Sequence, residues 1–222
     1  MLTGRGRWWE VVSTVGSAAE LHKRPLPAHC DRLVWSHRVE ASALVLGSTQ
    51  PESDLNRAAT TGLEVVRRRS GGGAVLVRPD DTWIDVLIGR DDELWSDDVG
   101  RAFYWLGQVW ERSFRALDVE CTMHRGALDR RNAGRAVCFA GLGPGELIDQ
   151  RGRKLLGLSQ RRTRNVARFQ CLVPTRNRLG ETAELLNPEA IPAGLDFDTE
   201  IGSTLDPSVL TTTFLSELAR LP

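Results

Sequence analysis

Lysine is almost missing from this chain. Of 29 basic side chains in 222 residues, only Lys23 and Lys154 are lysine, and the other 27 are arginine. Guanidinium is planar and permanently charged, whereas an ammonium is a compact point charge, so a lysine kept amid arginines raises the question of whether that ammonium is required. Net charge is missing too, since 29 acidic groups balance the basic ones. That excludes a general nucleic-acid binder, which relies on a surplus of positive charge to release counterions. No apolar run approaches the ~20 residues of a membrane span, and no secretory h-region follows the first residues. Neither membrane nor nucleic acid is expected as a partner. The four cysteines, Cys30, Cys121, Cys138 and Cys171, show no CxxC spacing. Reduced thiols in a cytoplasmic protein are expected, and neither a disulfide framework nor a metal site. GxxxxGK[ST] and a helix-opening GxGxxG are both absent, so no standard nucleotide fingerprint is present.

What is there reads as an α+β fold, a mixed or antiparallel sheet packed with helices, in one domain spanning residues 1–222. Strand-forming stretches run through 7–16, 44–47, 64–68, 74–78 and 83–88. The last two flank PDDT (79–82), whose turn chemistry predicts a hairpin. From 97 to 117, Val99, Phe103, Leu106, Trp110, Phe114 and Leu117 recur at three- and four-residue steps. This predicts an amphipathic helix with Asp97 and Asp98 at its start. Cys121 to His124 predicts an edge strand and 125–135 a surface loop. A second hairpin is expected around QRGR (150–153), followed by a strand near Phe169 to Val173 and a closing helix over Thr211 to Leu221.

Three stretches carry chemistry. In RRRSGGGAVLVR (67–78) three glycines follow three arginines. Glycines admit positive φ and let backbone N–H groups approach a ligand, and arginines supply forked donors for phosphate or carboxylate. A bulged turn beside a solvated charge run explains the same letters. In GRKLLGLSQRR (152–162) Lys154 opens a strand. There it could neutralise charge developing on an acyl oxygen or phosphate, or simply be solvated beside a turn. In AVCFAGLGPGE (136–146) Cys138 sits among small residues near Lys154. A nearby cation would make a nucleophile of the thiol, although buried free cysteines more often serve as small hydrophobes.

RRRSGGGAV followed, after a strand and an amphipathic helix, by GRKLLGLSQRR resembles the lipoate-protein ligase A family. That family shares one α+β catalytic fold with biotin ligases and octanoyltransferases. The resemblance covers roughly residues 7–175. It implies that Lys154 is the essential residue and that Arg161 holds a phosphate. The glycine loop, Ser70, Gly71, Gly72, Gly73 and Ala74, would line the pocket for a lipoyl or octanoyl chain and its adenylate. Arg67 and Arg69 would hold charge there or anchor the strand. ATP with Mg2+ and lipoate or octanoate are the implied ligands. Lipoyl carrier domains of the 2-oxoacid dehydrogenase E2 or glycine-cleavage H protein type are the implied acceptors. The chain's length leaves no room for the accessory domain of a self-contained ligase, so a separate accessory chain is an expected partner. VCFAGLGPGELIDQRGRK is similar to a segment of cysteine-dependent octanoyltransferases, which implies Cys138 as the thioester nucleophile and acyl carrier protein as donor. The family usually has His-Asp after GGGAV, where Leu76-Val77-Arg78-Pro79 stands here. It also has a histidine in the strand that here reads ARFQCLV (167–173). These departures keep a third reading open, a non-catalytic acyl-binding relative.

Overall fold

The structure, a computed structural model, describes residues 8–128, 132–176, 178–193 and 205–222, with the side chains of 132 and 133 outside that description. Ten strands form two sheets. They are β1 (Glu10–Gly16), β2 (Arg32–Val39), β3 (Ala43–Leu46), β4 (Glu64–Arg67), β5 (Val75–Val77), β6 (Thr82–Gly89), β7 (Cys121–Met123), β8 (Leu147–Asp149), β9 (Lys154–Arg162) and β10 (Val166–Val173). Five helices accompany them: α1 (Ala18–Lys23), α2 (Tyr104–Arg115), α3 (Asn132–Ala136), α4 (Leu179–Glu184) and α5 (Pro207–Leu218). The large sheet runs β1-β2-β6-β10-β9-β8-β7 and the small one β4-β3-β5. Among the described strands, only the β1–β2 and β3–β4 pairs are parallel. The fold is the expected α+β arrangement with a mixed sheet.

One face of the large sheet carries the main core. Leu106, Trp110 and Phe114 of α2 are fully buried against Ile84, Val86 and Phe169. Trp110 stacks on Phe214 of α5 at 4.1 Å between ring centroids. Such an apolar stripe at helical spacing is what the 97–117 pattern predicts. The helix itself begins later, after a 3-10 turn at Arg101–Phe103. Asp98 caps that turn, accepting from Gly100 N at 2.9 Å and Arg101 N at 3.1 Å.

The expected 74–78/83–88 hairpin does not form. β5 pairs with β3 in the small sheet, while β6 lies between β2 and β10 in the large one. All eight residues of β6 are buried, so it has strands on both sides and apolar cover on both faces. The PDDT connection changes sheets and is clamped from outside. Asp81 accepts from Arg78 N at 2.8 Å and from Thr175 N at 3.2 Å, and pairs with Arg178.

The remaining strand expectations match more closely. β7 is the sheet edge, β8 and β9 form the second hairpin, and β10 and α5 fall where expected. The 125–135 segment ends in α3 rather than loop throughout, and its residues 129–131 lie outside the described set. β2 has no counterpart in the sequence reading. Its Arg32 and His37 are buried polar groups that break the apolar pattern.

Candidate active site

A cavity of about 1020 Å³ opens where the 68–72 loop, the 134–146 segment and the ends of β9 and β10 converge. That is ample for an acyl-nucleotide-sized ligand. Its walls are built from three local devices.

The first is the glycine loop between β4 and β5. Arg68, 5% exposed, lies beneath it and donates to Gly71 O at 2.8 Å and Gly73 O at 2.9 Å. The three glycines have different jobs. Gly72 has φ +99°, a conformation open chiefly to glycine. A Cβ on Gly73 would stand 2.7 Å from Ala136 C and Val137 N, whereas one on Gly71 would meet nothing within 4 Å. Among the described residues, the N–H groups of Gly71, Gly72 and Gly73 donate to no partner. Ser70 Oγ is buried without a hydrogen bond. Bare backbone with free donors can receive the oxygens of an anion.

The second device is the Cys138 segment, which the glycine loop grips directly. Ala74 N donates to Ala136 O and Cys138 N to Ala74 O, each at 2.8 Å. This bridges β5 to a 3-10 turn at Cys138–Ala140. The half-buried Cys138 lines the cavity, its Sγ 3.8 Å from where a Gly72 Cβ would stand.

The third is Lys154 at the start of β9, 5% exposed and lining the same cavity. Its Nζ donates to Cys138 O at 3.2 Å and Gly141 O at 3.1 Å, and pairs with Glu146 Oε2 at 2.8 Å. The Phe139 ring lies 5.1 Å from the ammonium. Lys154 and Cys138, sixteen positions apart, are thus joined through the cysteine's own carbonyl.

Other expected residues fall elsewhere. Arg67 is exposed and donates to the carbonyls of Gly47 and Gln50, an anchoring role outside the cavity. Ala74 is fully buried and borders a separate chamber of about 20 Å³. Arg69 and Arg161 are not among the cavity's lining residues. They do lie near one another: desolvation, then the charges of Arg69 and Arg168, lower the Arg161 pKa.

A polar layer that the sequence reading missed borders the cavity. The carboxylate of fully buried Asp85 accepts from Arg168 Nε at 2.7 Å and Trp83 Nε1 at 2.9 Å, and contacts His37 Nε2 at 2.9 Å. Burial pushes its pKa up, but Arg168 and His37 outweigh burial and bring it to about 2. His22, at the end of α1, packs on Trp83 at 4.6 Å and meets Gln170 through Nδ1 at 3.3 Å. Burial is the largest cause that takes His22 down to about 3, with Arg168, Arg68 and His37 adding to it against Asp85. The helix is held in place by a capping box, Ser17 with Glu20, and by Glu64, which accepts from Ala18 N and Ala19 N at 3.0 Å. One letter signals this layer. Asp85 interrupts the apolar run WIDVLI, and a carboxylate in a buried strand requires a buried cation. Among the described residues no three His, Cys, Asp or Glu side chains converge as a metal site.

Solved structures share this architecture. A Thermoplasma acidophilum protein solved with bound lipoic acid superposes with a TM-score of 0.67 at 14% identity, over 95% of this chain and 83% of that one. A lipoate-protein ligase A bound with ATP gives 0.66 at 14% identity, again over 95% and 83%. A bi-partite lipoate protein ligase from T. acidophilum, solved in a study that includes its E2 lipoyl domain, gives 0.61 at 14% identity, over 95% and 81%. No curated protein matches the chain. The family model of the lipoyl protein ligase A/B catalytic domain matches residues 23–195, a span that holds the glycine loop, Cys138 and Lys154, and the chain belongs to that family.

Proposed function

We propose that this protein is a lipoate-protein ligase-type enzyme, which binds a lipoyl or octanoyl adenylate in the cavity and transfers the acyl group to a lysine of a lipoyl carrier domain. The observation that carries this reading is the convergence of Lys154, Cys138 and the bare glycine backbone on one cavity. Neighbouring folds that hold lipoic acid or ATP add support. The free N–H groups of Gly71 and Gly72, which line the cavity, suit the oxygens of a mixed anhydride. ATP, with Mg2+ on its phosphates, supplies the activation: an acid oxygen bonds to the α-phosphorus and pyrophosphate leaves. Lys154 stabilises negative charge on the acyl oxygen when the carrier amine attacks. The amine's bond to the acyl carbon replaces the carbon–oxygen bond to AMP.

A second reading is favoured by the position of Cys138 beside Gly72 and Lys154. In it the Cys138 thiolate attacks an octanoyl thioester on acyl carrier protein. A new thioester forms on Sγ, and the carrier thiol leaves with a proton. The acceptor amine then takes the acyl group as an amide and restores the thiol.

Intact-protein mass spectrometry separates the two. The chain is incubated with octanoyl-carrier protein, and separately with lipoate, ATP and magnesium. The ligase reading expects tightly held lipoyl-adenylate or a modified carrier domain, lost in K154A and kept in C138A. A hydroxylamine-labile octanoyl adduct that disappears in C138A establishes the transferase instead. Silence in both incubations favours the non-catalytic relative.

A further inference from the structure

Of the polar layer around Asp85, the side chains of His22, Trp83 and Gln170 line the cavity. Strand register measures how far they stand from the reacting end. The Lys154 ε-carbon lies 3.7 Å from where a Gly157 Cβ would be. Glu146 ties the ammonium to the same stretch: Oε2 meets Nζ at 2.8 Å, and Oε1 accepts from Leu158 N at 2.9 Å, beyond the point where β8 stops pairing with β9. Gly157 pairs with Leu172 of β10, and Leu172 pairs with Trp83 of β6. All three line the cavity. The way from the ammonium to Trp83 therefore crosses two strand spacings, about 10 Å in all. An extended octanoyl or lipoyl chain is of that length.

The far end of that path is walled by Val77, Leu172 and the rings of Trp83 and His22, whose centroids are 4.6 Å apart. His22 is neutral there, since burial above all takes its pKa down to about 3. The Gln170 amide nitrogen, 3.3 Å from Nδ1, can only donate, so Nδ1 accepts and the ring proton sits on Nε2. Among the described residues Nε2 meets no partner. The Trp83 Nε1–H is already taken by Asp85. An apolar slot thus ends in one N–H, held in place by Trp83 and Gln170. A plain alkyl end would strip water from that N–H and give nothing back, whereas a sulfur or oxygen near the end of the chain replaces the lost bond. We infer that His22 is a specificity-determining residue, which makes the site prefer acyl chains carrying a hydrogen-bond acceptor near the far end, as the dithiolane sulfurs of a lipoyl group do, over a plain octanoyl chain. This inference rests on the acyl-transfer reading and narrows its substrate.

The test measures binding of lipoate, octanoate and methoxyhexanoate by calorimetry in wild type, H22F and H22Q. Methoxyhexanoate is an octanoate isostere with an ether oxygen next to its terminal methyl. Wild type is expected to bind lipoate about three- to tenfold more tightly than octanoate, the worth of one hydrogen bond. H22F keeps a ring against Trp83 but has no N–H, so the affinities of lipoate and of the ether, each relative to octanoate, should fall by that same factor. H22Q restores an amide N–H and should keep both ratios near the wild-type values. A role in packing alone would weaken all three ligands together in H22F with their ratios unchanged, and that result overturns the assignment. If H22F does not fold, wild type decides. An ether bound about as tightly as octanoate supports the N–H, and one bound about tenfold more weakly, the penalty of burying an unpaired oxygen, overturns it. Lipoyl transfer to a carrier domain from lipoate and ATP is followed alongside. Transfer by wild type with ratios that H22F leaves unchanged overturns the His22 assignment alone. Ratios that respond to H22F, in a protein that transfers nothing from either the acid with ATP or acyl carrier protein, overturn the transfer reading alone. Acids neither bound nor transferred overturn both.

Discussion

Gly73 and Gly71, two glycines of the same loop, should respond to alanine in different ways. In G73A the new methyl stands 2.7 Å from two backbone atoms, Ala136 C and Val137 N. Neither can rotate away, because the same segment is stitched to Ala74 by two hydrogen bonds of 2.8 Å. Forcing them apart combines an overpacking cost of about 1–3 kcal/mol with loss of part of two bonds worth about 1 kcal/mol each. The sum is about 3 kcal/mol, and for a chain of this length Tm should fall by about 6–12 °C. Cys138 and the carbonyl that Lys154 grips sit on the displaced segment, so transfer activity should fall well beyond what instability explains. In G71A the methyl meets nothing within 4 Å and φ is not in the left-handed region. Stability should change by no more than about 0.5 kcal/mol, while the methyl intrudes on the exposed backbone facing the cavity and weakens ligand binding. Differential scanning calorimetry of both variants, paired with lipoate titration, reads each effect separately. A G73A protein melting within about 2 °C of wild type on the scale of that ~6–12 °C shift, or a G71A protein as unstable as G73A, would refute the account of the loop.

Three further outcomes follow from the buried charges. His22 has a folded pKa of about 3 against an ordinary histidine value of 6.5, so the unfolded chain binds more protons between those values. Its contribution to stability is therefore complete above pH 6.5 and declines by up to roughly 1.4 kcal/mol per unit as pH falls towards 3. Urea unfolding across that range should show a shallower acid slope in H22Q. D85N leaves Arg168 buried without a counter-charge and should cost about 3–5 kcal/mol. In wild type the Asp85 contribution is present above pH 3.8 and lost as pH falls through about 2. R68K should not rescue the loop, since one ammonium cannot reproduce the fork that reaches Gly71 O, Gly73 O and Val45 O. Its unfolding midpoint should lie close to that of R68A, and a midpoint near wild type would count against the fork argument.

Local elements were legible because their causes are local. The stripe Leu106, Trp110, Phe114 announces α2, and QRGR between two apolar runs announces the β8–β9 hairpin. The β5–β6 hairpin failed for a reason no local signal carries: Pro-Asp-Asp is good turn chemistry in either setting. Which sheet β6 joins depends on β2 and β10, and β10 begins more than seventy residues later. β2 was missed because buried Arg32 and His37 look like surface residues until Asp92 and Asp85 stand opposite them.

The sequence by itself determined the family-bearing pieces: a glycine run that admits backbone conformations open chiefly to glycine, a cysteine among small residues, and a lysine at the mouth of a strand. It also determined their order along the chain. Their meeting was decided by tertiary structure. Ala74 bonds across to Ala136 and Cys138, Lys154 reaches the Cys138 carbonyl, and Glu146 covers the edge of β9 where β8 stops. Composition and spacing record which groups are available. Desolvation and geometry, which exist only once the strands have paired, decide which charges must be matched and which carbonyls the ammonium holds.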